Sequence, residues 1–487
     1  MKNPHQARVE NFLLTLLGAF FLYEAFKQSF FFPYTDNEGT FVLMGREMGR
    51  GARLYADLWD HKPPFLFGQS WLLQMFIPLT EFHLHLYAVF IHALNAFLIF
   101  HLAKRLEFSR SGSWASALAY VFLLFPQIFQ TWAVEADLLT QPFLLLSFSA
   151  AFSKKNRMIF LSGALWACAF FTKQSALFLL PVFLMAGAFA DIPKILRWAA
   201  GALILTAAVI LPFAMDGRWM DFNAALIGFN QYYIEKGWIF FFATEDFRKF
   251  LVDWSKMALC TYGLVIVTLV LGLAGSLKKP VHARTPYFLT AWLIGVLASC
   301  CVSGYFFTYY FIALLPALAL GIGLAWMKWQ ETRRKDLGLC FFMLALGLIA
   351  VGTNWSGVRN KILSYAQYPY PKYYADKDMG ALIAREARPV DQLLAWDDDP
   401  QIYVYAGLKP FGKTPFINHL SGMPYEAWRL FKTFTDQPPR YCVMSRDPQV
   451  LPVPDWLKTQ LAKRYTAVQS IGELDLYRFR EQDQKAK

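Results

Sequence analysis

The sequence predicts a mainly helical membrane protein of about eleven spans, followed by a small α/β domain. Three observations support this class. The 487 residues are 56% hydrophobic and 18% aromatic but only 17% charged, a composition more apolar and more aromatic than that of average soluble domains. Apolar runs follow one another as far as residue 353. Beyond that point, alternating apolar patterns and frequent Tyr, Pro and Asp indicate a soluble fold.

Apolar runs define the spans, because a helix needs about 20 mostly apolar residues to cross a bilayer. The predicted spans are 10–30, 83–103, 113–129, 138–153, 158–171, 174–190, 196–213, 256–276, 287–303, 307–327 and 337–353. The apolar segment 65–80 is shorter. We predict a helix lying at the membrane interface there, since a further span would invert the chain downstream.

Basic residues indicate the orientation, because cytoplasmic loops of membrane proteins carry an excess of Lys and Arg. With the N-terminus inside, every basic cluster falls on the cytoplasmic side: Lys104, Arg105 and Arg110; Lys154, Lys155 and Arg157; Lys194 and Arg197; Lys278, Lys279 and Arg284; Lys328, Arg333, Arg334 and Lys335. The net charge of +12 is therefore an orientation signal rather than a nucleic-acid-binding patch. We expect a transmembrane domain, 1–353, whose loops 31–82, 130–137 and 214–255 face outward with the C-terminal domain.

The region 354–487 predicts the small outward α/β domain. Alternating runs predict strands at 401–405 and 440–444, and helical spacing predicts helices at 376–387 and 427–433. The six cysteines of the chain show no CxxC spacing, which argues against a disulfide framework or a zinc site.

The densest polar segment is 34–64, directly after the first span. It opens with Asp36 and Glu38. Two carboxylates this close in a dry site cannot both ionise freely, so one of them could carry a raised pKa and act as a base. The segment ends in the rigid turn 61–64 (His-Lys-Pro-Pro), which holds Lys62 near the membrane surface. The alternative is a solvated loop between two helices.

Three further charges interrupt the apolar region. Glu135 and Asp137 stand alone in their stretch of apolar sequence, and Lys173 is the only charge in 158–190. An ionisable residue in a membrane segment is costly and often functional, although the acids could simply lie at a helix end and Lys173 could snorkel. Together with Lys62, Lys173 would place two cations near the outer headgroups, where they suit an anionic lipid phosphate.

Histidines and tyrosines carry weaker signals. His61, His83 and His85 could join acids around a metal, but no HExxH or comparable spacing supports such a site, and we expect no metal there. Tyr309 and Tyr310 begin a predicted span, where interfacial tyrosines are routine.

The polar residues resemble the first outer loop of GT-C fold glycosyltransferases. The matching residues are Asp36 and Glu38, then Gly51, Tyr55 and the stretch Trp59-Asp60-His61-Lys62-Pro63-Pro64. The resemblance is nearest to the bacterial relatives of dolichyl-phosphate-mannose protein mannosyltransferases and of lipid A aminoarabinose transferases. It covers most of the chain, with further matches at Glu135-Ala136-Asp137, Thr172-Lys173-Gln174-Ser175, Tyr309-Tyr310 and Leu315-Pro316. Asn37 separates acids that are adjacent in many relatives, and Thr308 stands where relatives often have His.

The resemblance implies an inverting transfer of a hexosyl or pentosyl group at the outer face of the inner (plasma) membrane. The sugar arrives on a polyprenyl phosphate, an acceptor hydroxyl attacks the anomeric carbon, and the phosphate leaves. The acceptor would be a glycan, a lipid or a protein. No cofactor is implied, and a divalent metal is the minor alternative.

The resemblance also implies residue roles. Asp36 would be the base or the carboxylate that orients the acceptor, with Glu38 as a second carboxylate, and the spacing leaves open which acid is the base. Lys62 and Lys173 would bind the leaving phosphate. The acceptor side or cavity would be lined by Glu135, Asp137, His61, Tyr309 and Tyr310.

Two other functions fit parts of the sequence. The many spans and Lys173 also suit a transporter of lipids or lipid-linked sugars, which is the main alternative. Such transporters often show repeat symmetry and broken helices around a midplane site, and no repeat is evident in this sequence. A non-catalytic subunit with an outward recognition domain is a third interpretation.

Overall fold

The computed structural model describes most of the chain. The described residues are 32–124, 129–186, 191–245, 247–249, 251–252, 255–256, 284–331, 370–448 and 450–480, with residues 12, 15, 18 and 19. The predicted spans 10–30, 256–276 and 337–353 therefore fall almost wholly outside the described residues.

Helices dominate the described residues. In chain order they are α1 (Asp36–Gly49), α2 (Pro64–Gln74), α3 (Glu81–Arg105), α4 (Arg110–Leu123), α5 (Ala136–Ala151), α6 (Asn156–Thr172), α7 (Leu180–Ala186), α8 (Ile192–Met215), α9 (Trp219–Asn223), α10 (Phe229–Ala243), α11 (Arg284–Cys301), α12 (Leu315–Glu331), α13 (Tyr370–Ala384), α14 (Gln401–Tyr405), α15 (Pro424–Asp436) and α16 (Asp455–Arg464). The strands are β1 (Gln392–Trp396), β2 (Lys409–Pro410), β3 (Tyr441–Ser445), β4 (Tyr465–Ile471) and β5 (Leu474–Phe479). Short 3₁₀ turns cover Gln174–Leu179, Thr308–Leu314 and Ile417–Gly422, and a π turn covers Ala224–Gly228.

The chain divides into two compact units. The helical unit holds Met1–Phe31, Leu84–Pro212 and Ile234–Ala366, and the sheet unit holds Phe32–His83, Phe213–Tyr233 and Gln367–Lys487. The sheet unit thus combines the polar segment 34–64 with the C-terminal strands. The predicted domain boundary at residue 354 lies outside the described residues and stays a prediction.

The helical unit contains helices suited to a bilayer. Among the described residues, Glu81–Arg105, Ile192–Met215 and Thr308–Met327 are long and apolar enough to cross a membrane. Each of them coincides with a predicted span. The predicted span 174–190 begins instead as a 3₁₀ turn before α7, and the total of eleven spans stays a prediction.

Small residues allow helices of this unit to touch through their backbones. A Cβ atom added at Gly163 of α6 would lie 1.9 Å from the carbonyl oxygen of Trp198, and one added at Gly201 of α8 would lie 1.9 Å from that of Phe160. This reciprocal contact is the kind of small-residue packing by which membrane helices associate. It explains why two glycines stand inside otherwise apolar helices.

The sheet unit is built on a five-stranded mixed sheet in the order β2-β1-β3-β5-β4. Strand β1 runs parallel to β2 and β3, while β5 pairs antiparallel with both β3 and β4. Alternate residues of β1 enter different cores, because successive side chains of a strand point to opposite faces. Leu393 and Ala395 pack with Met379 and Ile402 in one core, and Leu394 and Trp396 pack with Phe434 and Leu457 in the other.

The structure corrects one predicted strand. The segment 401–405 (Gln-Ile-Tyr-Val-Tyr) is helix α14 rather than a strand. Short apolar runs cannot be assigned by periodicity alone, and here the apolar residues Ile402 and Tyr403 are buried on a short helix. The other three elements predicted in this region are confirmed as β3, α13 and α15, whereas β1 and the β4–β5 hairpin were not predicted.

Helix α1 joins the C-terminal core of the sheet unit. Leu43 is fully buried in the same core as Ile402 and Tyr403. One turn earlier, Gly39 lies so close to α14 that an added Cβ would be 2.6 Å from the Cα atom of Gln401. Only glycine allows this approach, which brings the start of α1 against the start of α14.

Helix α2 exposes large apolar side chains at its end and just beyond it. Trp71, Leu72, Met75, Phe76 and Ile77 are between 38% and 78% exposed. A run of exposed apolar residues of this size is unusual on a water-facing surface. The position agrees with the interfacial helix predicted at 65–80, which stays a prediction.

We expect Gly39→Ala to destabilise the protein by about 1–3 kcal/mol, because its methyl group would overlap the backbone of α14. Gly68→Ala is the matched control, since Gly68 is also helical and has nothing within 4 Å of an added Cβ. That control should be neutral or stabilising by up to about 1 kcal/mol. Thermal unfolding in detergent measures both variants, and equal melting temperatures would contradict the tight contact.

Candidate active site

The first turn of α1 carries both predicted acids, Asp36 and Glu38, and their carboxylates have different hydrogen-bond partners. Thr35 is the N-cap, and its hydroxyl oxygen accepts the backbone N–H of Glu38 at 3.2 Å. The Glu38 carboxylate in return accepts the backbone N–H of Thr35 at 3.1 Å. This reciprocal pair is a capping box, which satisfies two helix-end donors at once. The buried Glu38 therefore helps to start the helix, and its predicted catalytic role stays a prediction.

Asp36 lies one residue into α1 and is only half-buried. Its Oδ1 accepts the backbone N–H of Asn37 at 2.9 Å. Burial and then the negative charge of Asp399 raise the pKa of Asp36 to about 6, and the charges of Lys62 and Lys372 limit the rise. Such a carboxylate is mostly ionised at pH 7 and is a stronger base than an ordinary one.

Lys62 is held in place by the turn that carries it. Its backbone N–H donates to Asp60 Oδ1 at 2.8 Å, and its Nζ lies 3.3 Å from Asp60 Oδ2. The hydroxyl of Tyr55 donates to the Lys62 carbonyl at 2.7 Å, and the ammonium lies 5.3 Å from the centroid of the Phe416 ring. Its side chain is 20% exposed, so the cation is oriented but still reachable.

His61 anchors the same turn through its ring. The ring stacks on Tyr233 with centroids 4.8 Å apart and meets His419 edge-on at 5.1 Å. The side-chain amide of Asn230 donates to the His61 carbonyl at 3.0 Å. Residues from α10 and from the 3₁₀ turn at Ile417–Gly422 therefore fix the turn between Asp60 and Lys62.

Asp60, His61 and His419 form one of the groups that could hold a metal. One ligand atom of each lies within 4.8 Å of the others. Burial lowers the pKa of His61 to about 4 and also lowers the pKa of His419. Burial opposes the charge on Asp60, but the positive charge and the backbone N–H of Lys62 favour it, and the pKa of Asp60 is lowered to about 2. Two neutral imidazoles and a carboxylate are a donor set that suits zinc.

This group was missed in the sequence because His419 lies far from His61 along the chain. His83 and His85, which the sequence analysis considered with His61, do not belong to either group of potential metal ligands found among the described residues. His83 Nδ1 is instead 2.7 Å from the hydroxyl of Thr80, and the buried His85 ring packs against Trp132.

Acidic side chains that follow β1 and β3 surround Lys372. Lys372 Nζ lies 2.6 Å from Asp399, 3.3 Å from Asp447 and 3.6 Å from Asp397. Burial and the charge of Asp399 raise the pKa of Asp397 to about 7. The run of three aspartates at 397–399 was visible in the sequence. Its proximity to Asp36 was not, because it depends on the packing of α1 against α14.

In the helical unit, Lys173 is paired with Asp137. Lys173 follows the last residue of α6, and its ammonium forms a short ion pair with Asp137 at the start of α5. The ammonium also lies 4.0 Å from the centroid of the Tyr310 ring. The structure thus compensates the charge of Lys173 within the protein, and its predicted role at a lipid phosphate stays a prediction.

Two further predicted site residues lie close to the pair of Lys173 and Asp137: Glu135 is close in the chain, and Tyr309 contacts Tyr310. Glu135 is the buried N-cap residue of α5, and the Tyr309 ring meets the Tyr310 ring edge-on at 5.0 Å. A cavity with about 30 Å³ of space for water is lined by Asp137, Thr140, Gln141, Lys173, Ser175 and other residues.

The comparisons with known proteins bear on the fold. No protein-family model matches the sequence, and no curated protein matches it. Among solved structures, the crystal structure of ArnT from Cupriavidus metallidurans bound to undecaprenyl phosphate superposes with a TM-score of 0.65 at 13% sequence identity. The match covers 95% of this chain and 97% of that chain.

The chain has the GT-C fold. The match to ArnT confirms, at the level of the fold, the resemblance found in the sequence. At 13% identity the likeness assigns no role to any residue, and the GT-C fold alone leaves donor and acceptor open.

We expect Lys173→Met or Asp137→Asn alone to destabilise the protein by about 3 kcal/mol, because each change leaves a buried charge without its partner. The double variant should recover most of that loss, and thermal unfolding of the three variants measures it. Strictly additive losses would show that Lys173 and Asp137 do not stabilise the protein as a pair.

Proposed function

We propose that this protein is an integral-membrane glycosyltransferase that moves a sugar from a polyprenyl phosphate to an acceptor hydroxyl. The observation that carries the proposal is the fold shared over 95% of the chain with ArnT, whose crystal structure holds undecaprenyl phosphate. The sheet unit adds a base and a cation of the right chemistry. We further propose that the reaction takes place on the outer side of the membrane and inverts the anomeric centre.

In this proposal Asp36 is the general base. It accepts the proton of the acceptor hydroxyl as that oxygen attacks the anomeric carbon, and the bond from this carbon to the phosphate oxygen breaks. The raised pKa of Asp36 makes it a better proton acceptor than an ordinary aspartate at neutral pH. Glu38 is assigned to the helix start rather than to the chemistry, because the capping box occupies its carboxylate.

Lys62 is proposed to bind the phosphate that leaves. Negative charge builds up on that group in the transition state, and a nearby fixed cation stabilises it. In the free protein the ammonium contacts Asp60, which keeps it oriented. The turn around Lys62 is held by Tyr55 and Asn230, so a phosphate would meet a cation whose position is already set.

We expect Asp36→Asn to abolish sugar transfer and Glu38→Gln to leave it near the wild-type rate, because Gln also completes a capping box. Transfer from a radiolabelled polyprenyl-phosphate sugar in membranes measures both variants. For the wild type, activity should fall as the pH drops below about 6, since protonation of Asp36 removes the base.

Three results would contradict the assignment. Equal activity of Asp36→Asn and the wild type would exclude Asp36 as the base. Loss of transfer in Glu38→Gln with an unchanged melting temperature would instead point to Glu38. Movement of the labelled lipid across liposome membranes without any transfer product would favour the transporter.

We expect Lys62→Met to weaken binding of undecaprenyl phosphate at least about tenfold, the scale of one lost charge-assisted contact. Lys62→Arg is the control, because it keeps the charge. Binding to purified protein in detergent measures the effect, and the wild-type affinity should fall with added salt. Unchanged affinity in Lys62→Met would remove Lys62 from the phosphate site.

A further inference from the structure

Three buried aspartates meet at the end of β1. Asp376 comes from α13, and Asp397 and Asp399 come from the turn between β1 and α14. One carboxylate oxygen of each lies within 4.8 Å of those of the other two. Asp376 and Asp397 are completely buried and Asp399 is 5% exposed. A donor set made only of oxygens, without His or Cys, suits a hard cation such as Ca²⁺ or Mg²⁺.

A second observation points to a ligand at this place. In this cluster, the buried oxygens Gln401 Oε1, Asp376 Oδ1 and Asp397 Oδ2 have no hydrogen-bond partner among the described residues, and Asp399 Oδ2 has only its ion pair with Lys372. Gln401 is completely buried, and its Nε2 donates to Asp376 Oδ2 at 2.7 Å, so the amide lies against the aspartates. Buried acceptors without a donor are costly, and a bound cation would satisfy all three.

The cluster also contains more carboxylates than ammonium groups. Within the part of the chain that the structure describes, Lys372 forms ion pairs with Asp397, Asp399 and Asp447 but not with Asp376. One ammonium therefore compensates three carboxylates, and Asp376 is a fourth carboxylate without an ion pair to Lys372. Buried charges of one sign are stable only when they are compensated, and a divalent cation would supply the missing positive charge.

We propose that Asp376, Asp397, Asp399 and Gln401 bind one divalent cation, for which Ca²⁺ is the best match. Ca²⁺ accepts oxygen ligands in flexible geometry, whereas Mg²⁺ requires near-ideal octahedral geometry and loses its waters reluctantly. The ion ties α13 to the turn before α14. Because the backbone of Gln401 touches Gly39, it also sets the position of the first turn of α1. The site does not depend on the proposed transfer reaction.

Binding of the metal alone to the full-length protein tests this proposal. After dialysis against a chelator, the wild type should bind Tb³⁺ with luminescence excited through tryptophan, and Ca²⁺ should displace it. Ca²⁺ should raise the melting temperature by several degrees, and Mg²⁺ should raise it less. Asp376→Asn and Gln401→Leu should each weaken Ca²⁺ at least about tenfold, while Asp455→Asn, which changes an exposed acid of the same unit, should bind like the wild type.

The variants separate loss of the site from loss of the fold. Asp376→Asn removes a buried charge, so without Ca²⁺ it should melt at or above the wild-type temperature, and Gln401→Leu keeps the charge unchanged. The proposal is overturned if Ca²⁺ stabilises Asp376→Asn as much as the wild type. It is equally overturned if the wild type binds no metal and its stability follows pH alone, because protons would then neutralise the aspartates.

Discussion

The contact between Gly39 and Gln401 determines where the proposed base lies. Gly39 lets the first turn of α1 approach the backbone of α14, and that turn carries Asp36. The approach brings the carboxylate under the influence of Asp399, which contributes to its raised pKa. A side chain at residue 39 would move α1 outward and change the charge around Asp36. The backbone packing in this unit therefore determines the charge environment of the proposed base.

The sheet unit concentrates ionisable groups in its interior, which a protein selected for stability alone would avoid. Buried carboxylates surround Lys372, and another carboxylate orients Lys62. Burying such groups costs free energy unless each finds a partner. The paired cations and the capping box reduce that cost, and the remaining unpaired oxygens mark the place where a ligand would help most. Perturbed carboxylates gathered in this way are typical of functional sites.

Much of the fold could be predicted because it depends on local patterns. Apolar runs predicted the long helices, and Asp36, Glu38 and Lys62 stood out as charges beside them. The short segment 401–405 was assigned as a strand, since an apolar run of five residues fits a helix or a strand equally well. The partners His419 and Lys372 could not be predicted, because they meet the polar segment through tertiary packing. The pairing of Asp137 with Lys173 likewise depends on how α5 packs against α6.

The hydrogen bond from the backbone of Tyr34 to the hydroxyl of Tyr405 joins residues 371 positions apart. Contacts of such long range form late, since the intervening chain must first be made and ordered. On a ribosome, the carboxylate of Asp36 would emerge early but acquire its surroundings only after the last quarter of the polypeptide had been translated. An unfinished chain would thus carry the base without the environment that activates it.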